Sequence, residues 1–220
     1  MGEPPRPTFN APDRPLLVRL ADARHWVWAT LAQIERFVLA FHESTERLSQ
    51  SGNPDTDRKA AMEFVEAQFL LNAAGHADKA TRRLRAATLS PELSKDIRDL
   101  RNLHEHWEQH RDSFASTDRE KSRAGASFAE RHPDAVPWNF RFGSDGHFIS
   151  TLRLEELWDE LCLANHTLSK LQADALSGTA LALDFVSDNA PASEPFPQPP
   201  EGKVLAVAVL TQDLEFKPTP

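Results

Sequence analysis

Apolar residues recur every three or four positions along the first part of the chain. Between Pro15 and Arg47 these positions form a seam, and Trp26, Trp28 and Phe37 widen the same face. The seam consists of Val27, Leu31, Ile34, Val38 and Phe41. Since this spacing places side chains on one side of an α-helix, it predicts a first long helix from about Pro15 to Arg47.

A second helix is predicted after the break at Ser49–Pro54. It begins near Asp55, and its predicted buried face carries Met62, Val65, Phe69 and Ala73. Gly75 is a candidate for a kink or an end, and residues 78–87 either continue this helix or form a separate segment.

Ser90 and Pro91 are typical of a helix start, with Ser90 as the N-cap and Pro91 in the first turn. The helix that follows is predicted to reach about Ser116. Its predicted buried positions are Ile97, Leu100, Leu103, Trp107 and Phe114. A last helix is predicted after Ser150 and Thr151, with an apolar face of Leu154, Leu157, Trp158, Leu161, Leu168 and Leu171.

Strand-like patterns occur in two places. Residues 138–142 alternate apolar and polar side chains, residues 143–146 read as a turn, and residues 147–150 return, which predicts a β-hairpin at 138–150. Its aromatic residues are expected to cover one end of the helices, with a binding platform as the alternative. The β-prone run Val204–Leu210 would either dock on the hairpin edge or pair with another chain.

The predicted fold is all-α, an antiparallel bundle of four to five helices over residues 15–180, with the hairpin before the last long helix. Residues 1–14 are Pro-rich and polar, so we expect them to be disordered. Residues 187–220 are expected to form a Pro-rich linker and a β-prone tail, disordered or extended.

Composition and charge limit the possible functions. The formal charge of −8 argues against an open nucleic-acid-binding surface, which usually has a basic footprint, although a small enclosed site could still be locally basic. The start of the chain has no apolar core of a signal peptide. No apolar run approaches the roughly 18 residues of a membrane span. We therefore expect a cytoplasmic protein without membrane contact. Cys162 is the single cysteine and is expected to be a buried structural thiol.

Three of the nine histidines, His104, His106 and His110, fall within seven residues of the helix predicted from Pro91. His106 and His110 are spaced to chelate a metal from one helix. The stretch is not a zinc-protease motif, because Glu108 stands where the second histidine is needed. A metal would have to recruit ligands from other helices, with His25, His42 and Glu63 as candidates. We therefore assign no metal site and no cofactor.

The stretch Arg101-Asn102-Leu-His-Glu-His106 resembles the Arg-polar-x-x-x-His signature of the HEPN superfamily, whose members are helical bundles. The layout of helices from roughly Arg19 to Ala173 is loosely similar as well, and Arg98, Asp99 and His104 satisfy a relaxed form of the same pattern. The resemblance implies a metal-independent ribonuclease of toxin or defence type that acts as a homodimer. An RNA substrate and an antitoxin or other protein partner would follow.

The resemblance makes Arg101, Asn102 and His106 the candidate catalytic residues. A histidine is suited to general acid–base catalysis near neutral pH. An arginine fork can stabilise the charge that develops on phosphorus, and an asparagine amide can hold a phosphate oxygen or a hydroxyl.

The alternative is a solvated helix face without chemistry, in a helical ligand-binding or protein-interaction module of unknown role. Arg101 would then pair with Glu105 or Asp112 on the helix surface, and His106 would be an ordinary surface histidine.

Overall fold

The computed structural model describes residues 14–48, 55–85, 87–106, 123–137, 139–143, 145–177 and 195–197. Its helices are α1 (Arg14–Leu48), α2 (Asp55–Leu84), α3 (Pro91–Glu105), α4 (Arg123–Arg131) and α5 (Leu154–Ser177). Its strands, all between α4 and α5, are β1 (Phe140–Gly143), β2 (Gly146–Ile149) and β3 (Leu152–Arg153). The described part of the chain is therefore mostly helical with one small sheet, as predicted. Residues 1–13 and the run 204–210 lie outside it.

Helix α1 has the predicted limits to within a residue, and all five positions of its seam are buried. Phe37 is fully buried as predicted, but Trp28 is 50% exposed, so its assignment to the buried face is wrong. Helix α2 packs against α1 in the opposite direction. Arg36 Nη2 lies 2.9 Å from Glu66 Oε1, and the rings of Trp26 and His76 stack with centroids 4.2 Å apart.

Helix α2 buries a different face from the predicted one. Val65 and Phe69 are 46% and 57% exposed, and Ala73 is half-buried. The side chain of Met62 lies outside the described residues. The buried positions are Ala67, Leu70, Leu71, Ala74 and Ala77. Three of these five residues are alanines, whose small side chains allow a neighbouring helix to approach closely, whereas the larger Val65 and Phe69 face outward. Gly75 neither ends nor divides the helix, which continues to Leu84.

Helix α3 begins at Pro91, as predicted, but it is shorter than expected. Ser90 is its N-cap without a side-chain hydrogen bond, and the Ser90 backbone N–H donates to Glu160 Oε2 on α5 at 2.7 Å. Ile97, Leu100 and Leu103 are buried, as predicted. The helix ends at Glu105, with His106 as the C-cap. Trp107, Phe114 and the predicted end near Ser116 lie outside the described residues.

The predicted hairpin is confirmed and has a third short strand. The sheet order is β1-β2-β3, all antiparallel, with Phe142 opposite His147 and Ile149 opposite Leu152. The Phe142 ring stacks on Phe41 of α1 with centroids 3.8 Å apart. The ring of Phe140, half-buried, meets Phe37 edge to face at 5.4 Å. These two hairpin aromatics therefore pack on α1. The side chain of Trp138 lies outside the described residues.

Helix α5 buries every predicted apolar position from Leu154 to Leu171, and Cys162 between them is half-buried. Its acidic first turn places Glu155 beside β2. None of the helices within the described residues has the length and apolarity that crossing a bilayer requires.

Candidate functional site

The three candidate catalytic residues lie at the C-terminal end of α3. Asn102 is half-buried and His106 is exposed, one helical turn further on. The His106 backbone N–H donates to the Asn102 carbonyl at 3.2 Å, which closes the last turn of the helix. The sequence pattern places His106 within a longer helix, whereas the structure makes it the C-cap.

Arg101 lies across α2 at Gly75. A Cβ atom at Gly75 would stand 2.9 Å from Arg101 Nη1 and 3.0 Å from its Cδ, so only a glycine leaves room for this side chain as placed. Arg101 Nη2 lies 3.4 Å from Asn102 Oδ1, at the long limit of a hydrogen bond, and Arg101 Nε lies 3.6 Å from Glu105 Oε1. The predicted pairing of Arg101 with Glu105 is therefore present.

The structure thus brings Arg101 and Asn102 into contact and places His106 on the exposed side, one turn away. The arginine fork is half-buried, and its nearest charged neighbour in these contacts is the exposed carboxylate of Glu105. Chemically, this edge offers a cation, an amide and an imidazole to an anionic ligand that approaches from solvent.

His104 belongs to the core and not to this edge. It is fully buried, its ring stacks on Phe64 with centroids 5.1 Å apart, and Nε2 lies 3.1 Å from the Pro137 carbonyl oxygen. Because a carbonyl oxygen only accepts, Nε2 carries the proton and donates. Burial lowers the pKa of His104 from 6.5 to about 4, against a smaller opposite effect of the bond to Pro137. His104 is therefore neutral at pH 7.

In the relaxed form of the signature, Arg98-Asp99 followed by His104, the aspartate and the histidine are both buried in contacts within the protein. Asp99 is buried, and its Oδ2 accepts from Arg131 Nη2 at 2.6 Å and from Ser127 Oγ at 2.9 Å. Arg98, the first residue of that form, is mostly exposed. Of the two forms of the signature, only Arg101, Asn102 and His106 therefore leave both the polar residue and the histidine accessible to solvent.

Sequence reasoning missed a cluster of polar side chains that joins α3 to α4 and to the turn before β3. Asp96 Oδ1 pairs with Arg131 Nη1 and lies 3.1 Å from His132 Nε2, while Asp96 Oδ2 accepts from Thr151 Oγ1 at 3.1 Å. The spacing of Asp96 and Asp99, one turn apart, is the only local signal of this cluster. Its partners come from distant parts of the chain.

A metal site finds no support in the described residues, where no group of three or more His, Cys, Asp and Glu side chains is placed to hold an ion. His25 is exposed on α1, and Glu63 is buried on α2. His110 and the side chain of His42 lie outside the described residues.

No protein-family model, no curated protein and no solved structure matches this chain. Evidence about function therefore comes from the residues themselves and from the resemblance of Arg101–His106 to the HEPN signature.

Proposed function

We propose that the protein is a HEPN-like, metal-independent ribonuclease of toxin or defence type that acts as a cytoplasmic homodimer, with Arg101, Asn102 and His106 as its catalytic residues. The observation that carries the proposal is the contact of Arg101 with Asn102 beside an exposed His106, all at one end of α3. The proposal includes an antiparallel bundle, which the opposite directions of α1 and α2 support.

The chemistry assigns one task to each side chain. The His106 imidazole acts as the general acid or base for the ribose 2′-hydroxyl or the leaving oxygen. The Arg101 guanidinium binds the phosphate and stabilises the added negative charge of the transition state. The Asn102 amide donates to a phosphate oxygen. The two copies in a dimer would bring two such edges to one cleft, where RNA meets a cationic surface despite the acidic chain.

Arg101 must exchange Glu105 for phosphate in this mechanism. At 3.6 Å and with both side chains about one-third exposed, the pair has modest strength, of the order of 0.2–0.5 kcal/mol for such helix pairs. A phosphodiester accepts two bonds from the guanidinium fork, and its transition state carries a second negative charge that the Glu105 carboxylate does not offer, so the exchange favours the transition state. The packing on Gly75 keeps the stem of Arg101 in place while its head changes partner.

The test is cleavage of a set of single-stranded and structured RNAs by the purified protein in EDTA. Wild type should cleave, His106→Ala should abolish cleavage, and Arg101→Ala should reduce the rate by about 10²–10³-fold. Arg101→Lys should recover only part of the rate, because an ammonium lacks the planar fork. Far-UV circular dichroism and the thermal midpoint should stay close to wild type for His106→Ala.

Matched controls come from the same chain. His25→Ala removes an exposed histidine on α1, and Arg98→Ala removes an exposed arginine on α3, so both should retain the wild-type rate. His104→Ala is unsuitable as a control because it removes a core side chain. Absence of cleavage by wild type both in EDTA and in buffer with Mg²⁺, or equal cleavage by His106→Ala, would reject the ribonuclease. Loss of cleavage in EDTA would reject the metal-independent mechanism.

The second candidate is a non-catalytic ligand-binding or protein-interaction module. The contacts of Arg101 with Gly75 and Glu105 favour this candidate, because they explain the position of the arginine by packing and pairing, without a catalytic role. The exposed Val65 and Phe69, one turn apart on the outer side of α2, are consistent with such a module. A monomer by sedimentation equilibrium, together with no RNA cleavage by any variant, would support it.

A further inference from the structure

A short tail segment, Pro195–Pro197, lies against the sheet and α5. Phe196 is half-buried and packs against the hydrophobic core. Its ring centroid lies 5.0 Å from that of His147 on β2, with the planes at 37°, and 5.9 Å from that of Trp158 on α5, edge to face at 75°. We call the surface formed by His147 and Trp158, together with Phe142, whose ring meets His147 edge to face at 4.7 Å, the Phe196 socket.

The walls of the Phe196 socket are fixed by contacts that do not involve the tail. The His147 backbone N–H donates to Glu155 Oε1 at 3.0 Å, and His147 Nδ1 lies 2.6 Å from the same oxygen. Trp158 is buried within α5, and Phe142 is buried against Phe41 of α1. A socket held in this way loses little conformational freedom when a ring enters it, which favours binding.

The segment that fills the socket has a distinct chemistry, a phenylalanine between two prolines. Each proline ring fixes its own φ, and Pro197 restricts Phe196 to extended conformations. Little entropy is therefore lost when the segment docks. Neither proline offers a backbone N–H, so the two flanking positions need no hydrogen-bond acceptor from the socket. The Phe196 ring is therefore the part of the segment that the socket recognises.

The number of residues between α5 and Pro195 is sufficient for this docking. Trp158 and the helix end at Ser177 are separated by 19 residues of α5, about 29 Å at 1.5 Å per residue. The 17 residues 178–194 could span about 60 Å when fully extended. A segment tethered by a chain of this length is present at a local concentration on the order of millimolar, with which a separate ligand can compete.

We propose that the Phe196 socket is a peptide-recognition site for a phenylalanine flanked by prolines, occupied in the resting molecule by the chain's own Pro195–Pro197. A partner protein that carries the same kind of segment displaces the tail and takes its place. The proposal does not depend on ribonuclease activity, because the socket is built from β1, β2 and α5 and the catalytic candidates lie on α3.

The test uses a fluorescein-labelled peptide with the sequence of residues 190–200 and the full-length protein, and measures binding by fluorescence polarisation. Phe196→Ala empties the socket, so the peptide should bind this variant about tenfold more tightly than wild type. That factor follows from a tail at about 1 mM effective concentration competing with a peptide of about 100 μM dissociation constant. The same peptide with alanine in place of its phenylalanine should not bind.

Two further variants locate the site. In the Phe196→Ala background, His147→Ala should weaken peptide binding severalfold, whereas His166→Ala, a half-buried histidine of α5, should leave it unchanged. Trp158→Phe, which keeps an aromatic core residue, should also weaken binding. Equal affinity of the peptide for wild type and Phe196→Ala, or equal binding of the alanine peptide, would overturn the proposal. Peptide binding in a preparation that cleaves no RNA would leave it standing while the ribonuclease failed.

Discussion

His104 is an imidazole that the fold keeps neutral. The helix positions on either side of it, Leu103 and Glu105, are buried and exposed respectively, so its burial depends on contacts from outside α3. Phe64 and Phe140 approach its ring from α2 and β1, with centroids at 5.1 and 6.3 Å. Burial of this kind disfavours the charged form of the ring, and the lowered pKa of about 4 follows from it.

This lowered pKa predicts acid sensitivity. Above pH 6.5 the His104 ring is neutral in both the folded and the unfolded states, and its contribution to stability is fully present. Between pH 6.5 and 4 the unfolded state binds a proton that the folded state does not, so the free energy of unfolding falls as the pH falls. The 2.5-unit difference corresponds to a loss of at most about 3 kcal/mol at pH 4.

Urea denaturation between pH 7 and pH 4 measures this loss. His104→Gln should be less stable than wild type at pH 7 but should lose less stability on acidification, because glutamine does not titrate. His25→Gln, on an exposed histidine of α1, should keep the wild-type pH dependence. Parallel curves for wild type and His104→Gln would mean that His104 is not the source of acid sensitivity.

At the scale of elements, α2 and α3 meet where the Arg101 side chain of α3 lies against Gly75 of α2. Glycine costs roughly 1 kcal/mol relative to alanine within a helix. Here it leaves the space that the Arg101 side chain occupies, since a Cβ atom would meet two atoms of that side chain at 3.0 Å or less. The glycine and the arginine should therefore be energetically coupled.

A double-mutant cycle tests this coupling. In an Arg101→Ala background, Gly75→Ala should raise the free energy of unfolding by about 1 kcal/mol, because only the helix propensity changes. In the wild-type background the gain should be smaller or absent, because Arg101 must move away. Chemical denaturation of the four proteins gives the coupling energy, and a gain of equal size in both backgrounds would contradict the close approach.

At the scale of the whole molecule, the carboxylates of α3 hold together parts of the chain that are distant in sequence. Arg131 of α4 bridges Asp96 and Asp99, and Thr151 in the turn before β3 donates to Asp96 at 3.1 Å. Asp99 is buried, so its charge needs these partners. The cluster therefore determines where α4 and the sheet lie relative to α3.

Arg131→Ala should destabilise the protein by about 3 kcal/mol, because it leaves the buried carboxylate of Asp99 without its strongest partner. Arg98→Ala is the matched control, since Arg98 is mostly exposed and its Nε lies 3.6 Å from the other oxygen of Asp99. The control should cost less than about 0.5 kcal/mol. Equal denaturation midpoints for the two variants would show that the cluster contributes little to the fold.

In the candidate site, some contacts could be predicted from the sequence and others depend on the tertiary structure. The pairing of Arg101 with Glu105 could be predicted, because residues four apart on a helix are neighbours wherever the helix lies. The packing of Arg101 on Gly75 could not, because the two residues belong to different helices whose relative position the pattern leaves open. The end of α3 at Glu105 was also missed, since the apolar spacing continues to Phe114.

By itself, the sequence determined the features that depend on contiguous residues: the limits and seam of α1, the start of α3, the hairpin and the buried face of α5. A helical or strand period is a local property, so one segment suffices to read it. Tertiary structure alone decided that α2 buries its alanines and exposes Phe69, that His104 is buried, and that Phe196 returns to β2 and α5. Each of these three features depends on the shape or charge of a segment that is distant in the sequence. The hydrophobic period of a single segment carries no information about such a partner.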